Sequence, residues 1–239
     1  MVRKEKKQRK AVWIVRAGVS MNSFSGDNTA RSHSNVNSTF SSFSSKTGYD
    51  VSFGYNLPIG KSGVYWGQEL GMSTIGTGMK VGFNKEDTDE QKGYWLNTNI
   101  NSTAHRVKIV PIQFGYKYAI NDNIKLDIHV GAFASYNFGK SSKCDYEYGI
   151  NGNTDVYKYS SEYINDRYEN LVTNFDAGLH TGIGVWYKQF NLDICYQRGF
   201  VISENDERYN HYIDGNNISF YHDYELKSQS IIVRLGVAF

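Results

Sequence analysis

From residue 11 to its end, this 239-residue chain returns repeatedly to one pattern, a stretch with an apolar side chain at every second position. That period belongs to a β-strand, whose successive side chains point to opposite faces. No stretch sustains the 3.6-residue period of an amphipathic helix. In TGYDVSFGYNL, Tyr49, Val51, Phe53, Tyr55 and Leu57 share one face, and Gly48, Asp50, Ser52, Gly54 and Asn56 the other. In VPIQFGYKY, Val110, Ile112, Phe114, Tyr116 and Tyr118 alternate with Pro111, Gln113, Gly115 and Lys117. Residues 124–138 alternate without a break, and 11–22, 64–75, 172–187, 190–200 and 230–239 follow the same rule, for eight predicted strands.

The connections alternate as well. Short ones fall at about 58–62, 120–123 and 188–189, and long polar ones at about 23–46, 77–103, 139–170 and 203–226. Short and long therefore lie at opposite ends of an up-and-down meander. An even strand number lets the first and last strands run antiparallel and close the sheet, which removes its edges.

Alternation alone does not say which face is outside, since a lipocalin-like barrel in water alternates too. Volume separates the two. An eight-stranded barrel has an interior just wide enough for side chains to fill. Trp13, Phe53, Trp66, Phe114, Tyr116, Phe138, Phe175 and Tyr187 together are too bulky for it, whereas the Gly, Ser, Asn and scattered charges opposite fit. The expected fold is all-β: an eight-stranded antiparallel up-and-down transmembrane β-barrel with four long extracellular loops and short periplasmic turns. Its expected location is the bacterial outer membrane, with outer-membrane lipid as a partner. Aromatic residues at 15%, 23 Gly and 2 Pro suit such a barrel. No window approaches ~18 consecutive apolar residues, so helical membrane spans are excluded.

The net charge of +2 hides an asymmetry. MVRKEKKQRK, residues 1–10, holds six basic residues and one acidic, while the remaining 20 basic and 23 acidic residues give the body −3. We therefore divide the chain into a basic N-terminal tail, 1–10, and a barrel, 11–239. A mildly acidic body lacks the basic stripe of a nucleic-acid binder, so no nucleic acid is expected as a partner. The barrel is taken as a monomer.

Several strands resemble a known family. VPIQFGYKY (110–118) resembles the IPLLLKY strand of the PorT-like outer-membrane β-barrel family of Bacteroidetes, and NFDAGLHTGIGVWY (174–187) resembles its D-x-G-x-x-x-G-x-G strand at Asp176, Gly178, Gly182 and Gly184. RAGVSMNSFSG (16–26) is similar to the family's opening strand, and SIIVRLGVAF (230–239) to its closing strand with a terminal Phe. The resemblance implies fold and location more than activity. PorT itself is associated with protein secretion across the outer membrane, so a role in secretion or assembly is the alternative it adds. Family members carry a cleavable signal peptide. Here AVWIV is the one apolar run after KEKKQRK, ended by Arg16 and shorter than the ~7–15 residues a signal needs. The expectation is a start assigned too late, or a mature form.

The lumen face carries most of the titratable candidates. Closure makes Arg16 and Arg234 neighbours, and two guanidiniums in a narrow interior repel unless a carboxylate stands between them. Glu69 is best placed, with Asp193 and Asp127 in reserve. Asp127 with His129, and Asp176 with His180, are read as a hydrogen-bonded polar plug rather than a catalytic pair or proton relay. His211, His222 and Asp223 lie near Glu204, Asp206, Glu207 and Asp214, without the fixed ligand spacing of a metal loop. G-x-S-x-G, Walker, H-E-x-x-H and C-x-x-C patterns do not occur. No catalytic residue, metal or cofactor is expected, and an enzyme acting on lipid or peptide is the third reading. Cys144, in a loop, and Cys195, on the lumen face, are not expected to bridge. The expected function is non-enzymatic, either extracellular binding by the loops or an envelope-structural role. The third carries Tyr146, Tyr148, Tyr157, Tyr159, Tyr163 and Tyr168 about a GINGN turn, which predicts a projecting hairpin. Tyr supplies broad amphipathic contact at low entropy cost, so these residues form the candidate surface for an unknown extracellular ligand or protein partner.

Overall fold

The computed structural model describes residues 10–32, 38–85, 92–151, 155–160, 172–201, 203–213 and 216–239, with backbone alone at 27–32, 38–41, 81, 83, 85, 146, 159–160, 203–213 and 216–224. They form β1 (Val12–Ser32), β2 (Ser38–Pro58), β3 (Val64–Lys85), β4 (Tyr94–Ala119), β5 (Ile124–Ile150), β6 (Val156–Ser160), β7 (Phe175–Tyr187), β8 (Phe190–Gly199), β9 (Ser203–Ile213) and β10 (Asn216–Ala238). Eight strands pair in the order β1-β2-β3-β4-β5-β7-β8-β10, and β10 returns to β1 from Ile14↔Ala238 to Ser32↔Phe220. The sheet thus closes on itself. The eight expected strands are the ring. β6 is added on β5 and β9 on β10.

The alternation sorts into an outer apolar face and an inner polar one. Val51, Phe53, Ile112, Phe114, Leu179 and Val233 are 40–51% exposed, while Arg16, Glu69, Asp193 and Arg234 are 1–3% exposed. The belt on β5 runs from Leu126 to Phe138. At about 3.3 Å per residue and a tilt near 40°, that run spans about 30 Å, the height of a hydrocarbon core.

Val110 departs from the expected phase. It is fully buried rather than on the outer face, because the β3–β4 register shifts between Gly67 and Glu69 and the β4–β5 register between Ile109 and Ile112. Pro111, which has no N–H for the ladder, sits at this bulge, and a bulge reverses the face of every residue beyond it.

The segments expected as long loops are in large part strand. β1, β2, β3, β4, β5 and β10 run 21 to 27 residues, against the 9–11 needed to cross a membrane. Beyond the belt they continue into a crown whose polarity is inverted. Phe24, Ile75, Met79, Leu96, Ile100, Cys144 and Leu226 are buried inside it, while Lys80, Thr103 and Lys143 face out. Gly139, at φ +57°, sits at the β4–β5 irregularity between Thr103 and His105 where the crown part of β5 begins.

The crown is not one closed ring among the described pairings. β1 and β2 pair only from Val12↔Asn56 to Asn22↔Lys46. Above that, β1 stays on β10 and β2 on β3. The crown therefore divides into a blade of β6-β5-β4-β3-β2 and a blade of β9-β10-β1.

Candidate functional site

The membrane-spanning interior is filled by a charge network to which every ring strand contributes. At its centre Glu69 on β3 accepts from Arg16 Nη1 on β1 at 2.9 Å and from Arg234 Nη1 on β10 at 2.5 Å. Arg234 Nη2 donates to Asp193 Oδ2 on β8 at 2.7 Å, and Arg16 Nε lies 3.7 Å from the same oxygen. Arg234 Nη1 is 3.4 Å from Asp50 Oδ1 on β2, and Lys108 Nζ on β4 donates to Asp50 Oδ2 at 2.7 Å. His129 on β5 and His180 on β7 stack with ring centroids 5.3 Å apart. Carboxylates thus stand between the Arg16 and Arg234 guanidiniums.

Towards the periplasmic turns, Asp127 accepts from Tyr65 Oη and Trp186 Nε1, both at 2.9 Å. Lys117 Nζ lies over the Trp186 ring at 3.9 Å and the Tyr65 ring at 4.9 Å. His129 Nδ1 is 3.9 Å from Asp127 Oδ1. Towards the crown, Asp176 accepts from Ser228, while Arg106 donates to Ser73 at 3.1 Å and Gln197 at 3.2 Å and covers the Phe133 ring. Buried Arg16, Arg106, Lys108 and Arg234 with half-buried Lys117 face buried Asp50, Glu69, Asp127, Asp176 and Asp193, five charges of each sign.

Sequence reasoning named Arg16, Glu69, Arg234, Asp127, His129, Asp176, His180 and Asp193, and all eight are buried in this interior. It missed Lys108 and Arg106. Extending the outward phase of Ile112 and Phe114 backwards puts even-numbered residues outside, and the bulge at Pro111 reverses that. It also left out Asp50, although the alternation already places Asp50 on the polar face. Neither Cys144 nor Cys195 is in a disulfide, and both are buried. In the crown, outside the membrane, burial pushes the Cys144 thiol up to about 12. Cys195 Sγ is 3.6 Å from His129 Nε2, the arrangement of a nucleophile and base, but at 1% exposure it is sealed from any substrate.

The expected hairpin is formed by β5 and β6, paired from Asp145↔Ser160 to Gly149↔Val156. Tyr148 and Tyr157 stack across it, with centroids 5.0 Å apart and planes at 16°. Tyr146 and Tyr159 are paired in backbone but their side chains lie outside the described residues, as do all of Tyr163 and Tyr168. The side chains of His211, His222, Asp223 and their acidic neighbours also lie outside them.

A closed eight-stranded ring with lipid-sized apolar strands outside and a charge-paired interior is an outer-membrane β-barrel. The chain belongs to the outer membrane protein beta-barrel domain family, whose model matches residues 4–203, and it is a protein of the bacterial outer membrane. Three solved structures align along nearly the whole chain at low identity. OprG of Pseudomonas aeruginosa is 10% identical, with 97% of each chain covered and a TM-score of 0.42. Ail, the attachment invasion locus protein of Yersinia pestis, is 10% identical, with 96% of this chain and 99% of that one covered and a TM-score of 0.34. Neisserial surface protein A is 11% identical, with 95% and 97% covered and a TM-score of 0.33. A comparison with curated protein sequences finds no match.

Proposed function

We propose that this is a non-enzymatic, non-conducting outer-membrane barrel whose crown binds a partner outside the cell. The inversion of polarity above the belt carries this reading. An inert loop needs no core, whereas the crown buries Ile75, Met79, Leu96, Ile100 and Leu226 and so holds its strands as a platform. Among the described residues, β6, β9 and the crown parts of β1 and β2 are paired on one side only, which adds edges on which an extended partner segment can pair. The charge-paired lumen supports the absence of conduction, since ions find no open path between side chains that already satisfy one another. The PorT-like strand motifs support assigning the chain to that branch of barrels, and with it a Bacteroidetes origin.

The test uses the whole barrel in lipid nanodiscs beside a variant in which residues 145–160 are replaced by a short turn. The intact crown should capture a partner from extracellular fractions and the variant should lose it. Equal capture by both, or steady stepwise conductance of the intact barrel in planar bilayers, refutes the proposal.

A further inference from the structure

We propose that His129, His180 and Cys195 form a site inside the barrel for a thiophilic closed-shell metal cation, of the zinc(II) or copper(I) type. A ring nitrogen from each imidazole and Sγ of Cys195 lie within 4.8 Å of one another, and all three side chains are at most 2% exposed. Metal–ligand bonds of about 2.0–2.3 Å put tetrahedral ligands roughly 3.4–3.8 Å apart. The edge from Cys195 Sγ to His129 Nε2 is already 3.6 Å. The other edges are at most 4.8 Å, so binding requires them to shorten by up to roughly 1.4 Å. Two imidazoles and a thiolate are the donor set that soft and borderline cations select over oxygen sites.

Two further observations point to a ligand at this place. His180 Nε2 has no hydrogen-bond partner although its ring is fully enclosed, and buried polar atoms are seldom left so. Gly182 lies opposite the cluster, where a Cβ would stand 2.5 Å from His129 Nε2 and 2.9 Å from Cys195 Sγ. The absence of a side chain there keeps the space beside both donors open. Arg234 Nη2 also donates to Cys195 Sγ at 3.2 Å, which fixes where the sulfur sits.

The neighbours fit the roles a bound cation needs. With Nε2 of His129 as ligand, its Nδ1–H points toward Asp127 Oδ1, 3.9 Å away, the carboxylate–histidine–metal arrangement that fixes a ligand's tautomer. Asp193 Oδ1, 3.9 Å from His129 Nε2, is the nearest fourth donor. His180 now receives Gln197 Nε2 on its Nδ1 at 2.9 Å. Ligation through Nε2 places the proton on Nδ1 and turns the Gln197 amide over. Arg106, released from Gln197, has an unpaired Nη1, and Asp176 has an unpaired Oδ1 that can take up a new contact with it. Binding exchanges the thiol proton for the metal: Cys–SH and M²⁺ give Cys–S–M⁺ and H⁺, and Asp193, which accepts from the thiol at 3.1 Å, is the first stop for the proton. With copper(I) the exchange leaves the five-against-five balance of the lumen unchanged. With zinc(II) it adds one positive charge.

The experiment uses the full chain, refolded metal-free and reduced in detergent and titrated with cobalt(II). The expected result is a single equivalent bound, with the charge-transfer absorption of a cobalt–thiolate bond. Zinc(II) and copper(I) in separate arms should each displace it, and their relative affinities say which cation the site prefers. Cys195→Ser should weaken binding by at least about 100-fold and abolish the band. Gly182→Ala should do the same while keeping the heat-modifiable gel mobility of a folded barrel, and Cys144→Ser should leave both unchanged. No band in the folded wild-type chain, or a band that survives Cys195→Ser, overturns the site.

Discussion

Replacing Glu69 by Gln tests whether the charge network holds the barrel. The amide keeps the volume and one carbonyl oxygen, so the substitution removes charge and leaves packing alone. Glu69 is 3% exposed and bridges two guanidiniums, at 2.9 Å to Arg16 and 2.5 Å to Arg234. The two arginines are not left equal by its loss. Arg234 keeps Asp193 at 2.7 Å and Asp50 at 3.4 Å. Arg16 keeps only the Asn191 amide oxygen at 3.1 Å and a 3.7 Å approach to the Asp193 oxygen that Arg234 already holds. Removing one partner of a buried pair costs about 3–5 kcal/mol, and the carboxylates that remain place Glu69→Gln near the lower end, at about 3 kcal/mol. Because the stranded charge is Arg16, adding Arg16→Met should recover part of that loss, with a coupling of about 1–2 kcal/mol. Reversible urea unfolding in lipid vesicles, followed by tryptophan fluorescence, measures both. The reasoning fails if Glu69→Gln stays within about 1 kcal/mol of wild type, or if the double variant loses the full sum of the two single ones.

Ile112→Arg, on the lipid face near mid-strand, should cost about 2–4 kcal/mol in the same vesicles; a negligible change would mean that this face never meets hydrocarbon. Gly139→Val places a β-branched residue at φ +57° beside His105 and should cost about 1–3 kcal/mol. If unfolding is unchanged, the irregularity at the base of the crown does not need glycine.

The ring was legible because the rule that writes it is strict. On one face a strand position meets lipid and on the other a narrow lumen, so Trp13 through Met21 and Phe175 through Tyr187 alternate without exception. Two features broke the reading, both by shifting phase. Pro111 and its bulge turned Val110 inward and, behind it, carried Lys108 and Arg106 into the lumen. At the membrane surface the meaning of the alternation changes. Met72 faces out and apolar, whereas Ile75 and Met79 are apolar and face in. A pattern tuned to lipid reads that reversal as the end of β3, although the strand runs on to Lys85. The His129–His180–Cys195 cluster was hidden for another reason. Its members lie on β5, β7 and β8, and only the pairings Gly182↔Cys195 and His129↔Gly182 bring them to one level.

The reversal also separates two jobs along one set of strands. Below it, stability comes from satisfied charges in a space too narrow for substrate, and a change there is felt as unpaired charge. Above it, stability comes from apolar burial, and the outward face is polar and unconstrained by lipid. The register of β10 links the two halves, since it pairs with β1 from Phe220 to Ala238 and with both β8 and β9 on its other side. Substitutions on the crown's outer face can therefore alter what is bound without disturbing Glu69 and its arginines. A plug variant that still folds should bind as the wild type does. If the crown binds the partner proposed for it, such a barrel can change that partner at little cost to its fold, because the crown's outward residues and the buried residues that hold the ring share strands but lie on opposite faces of them.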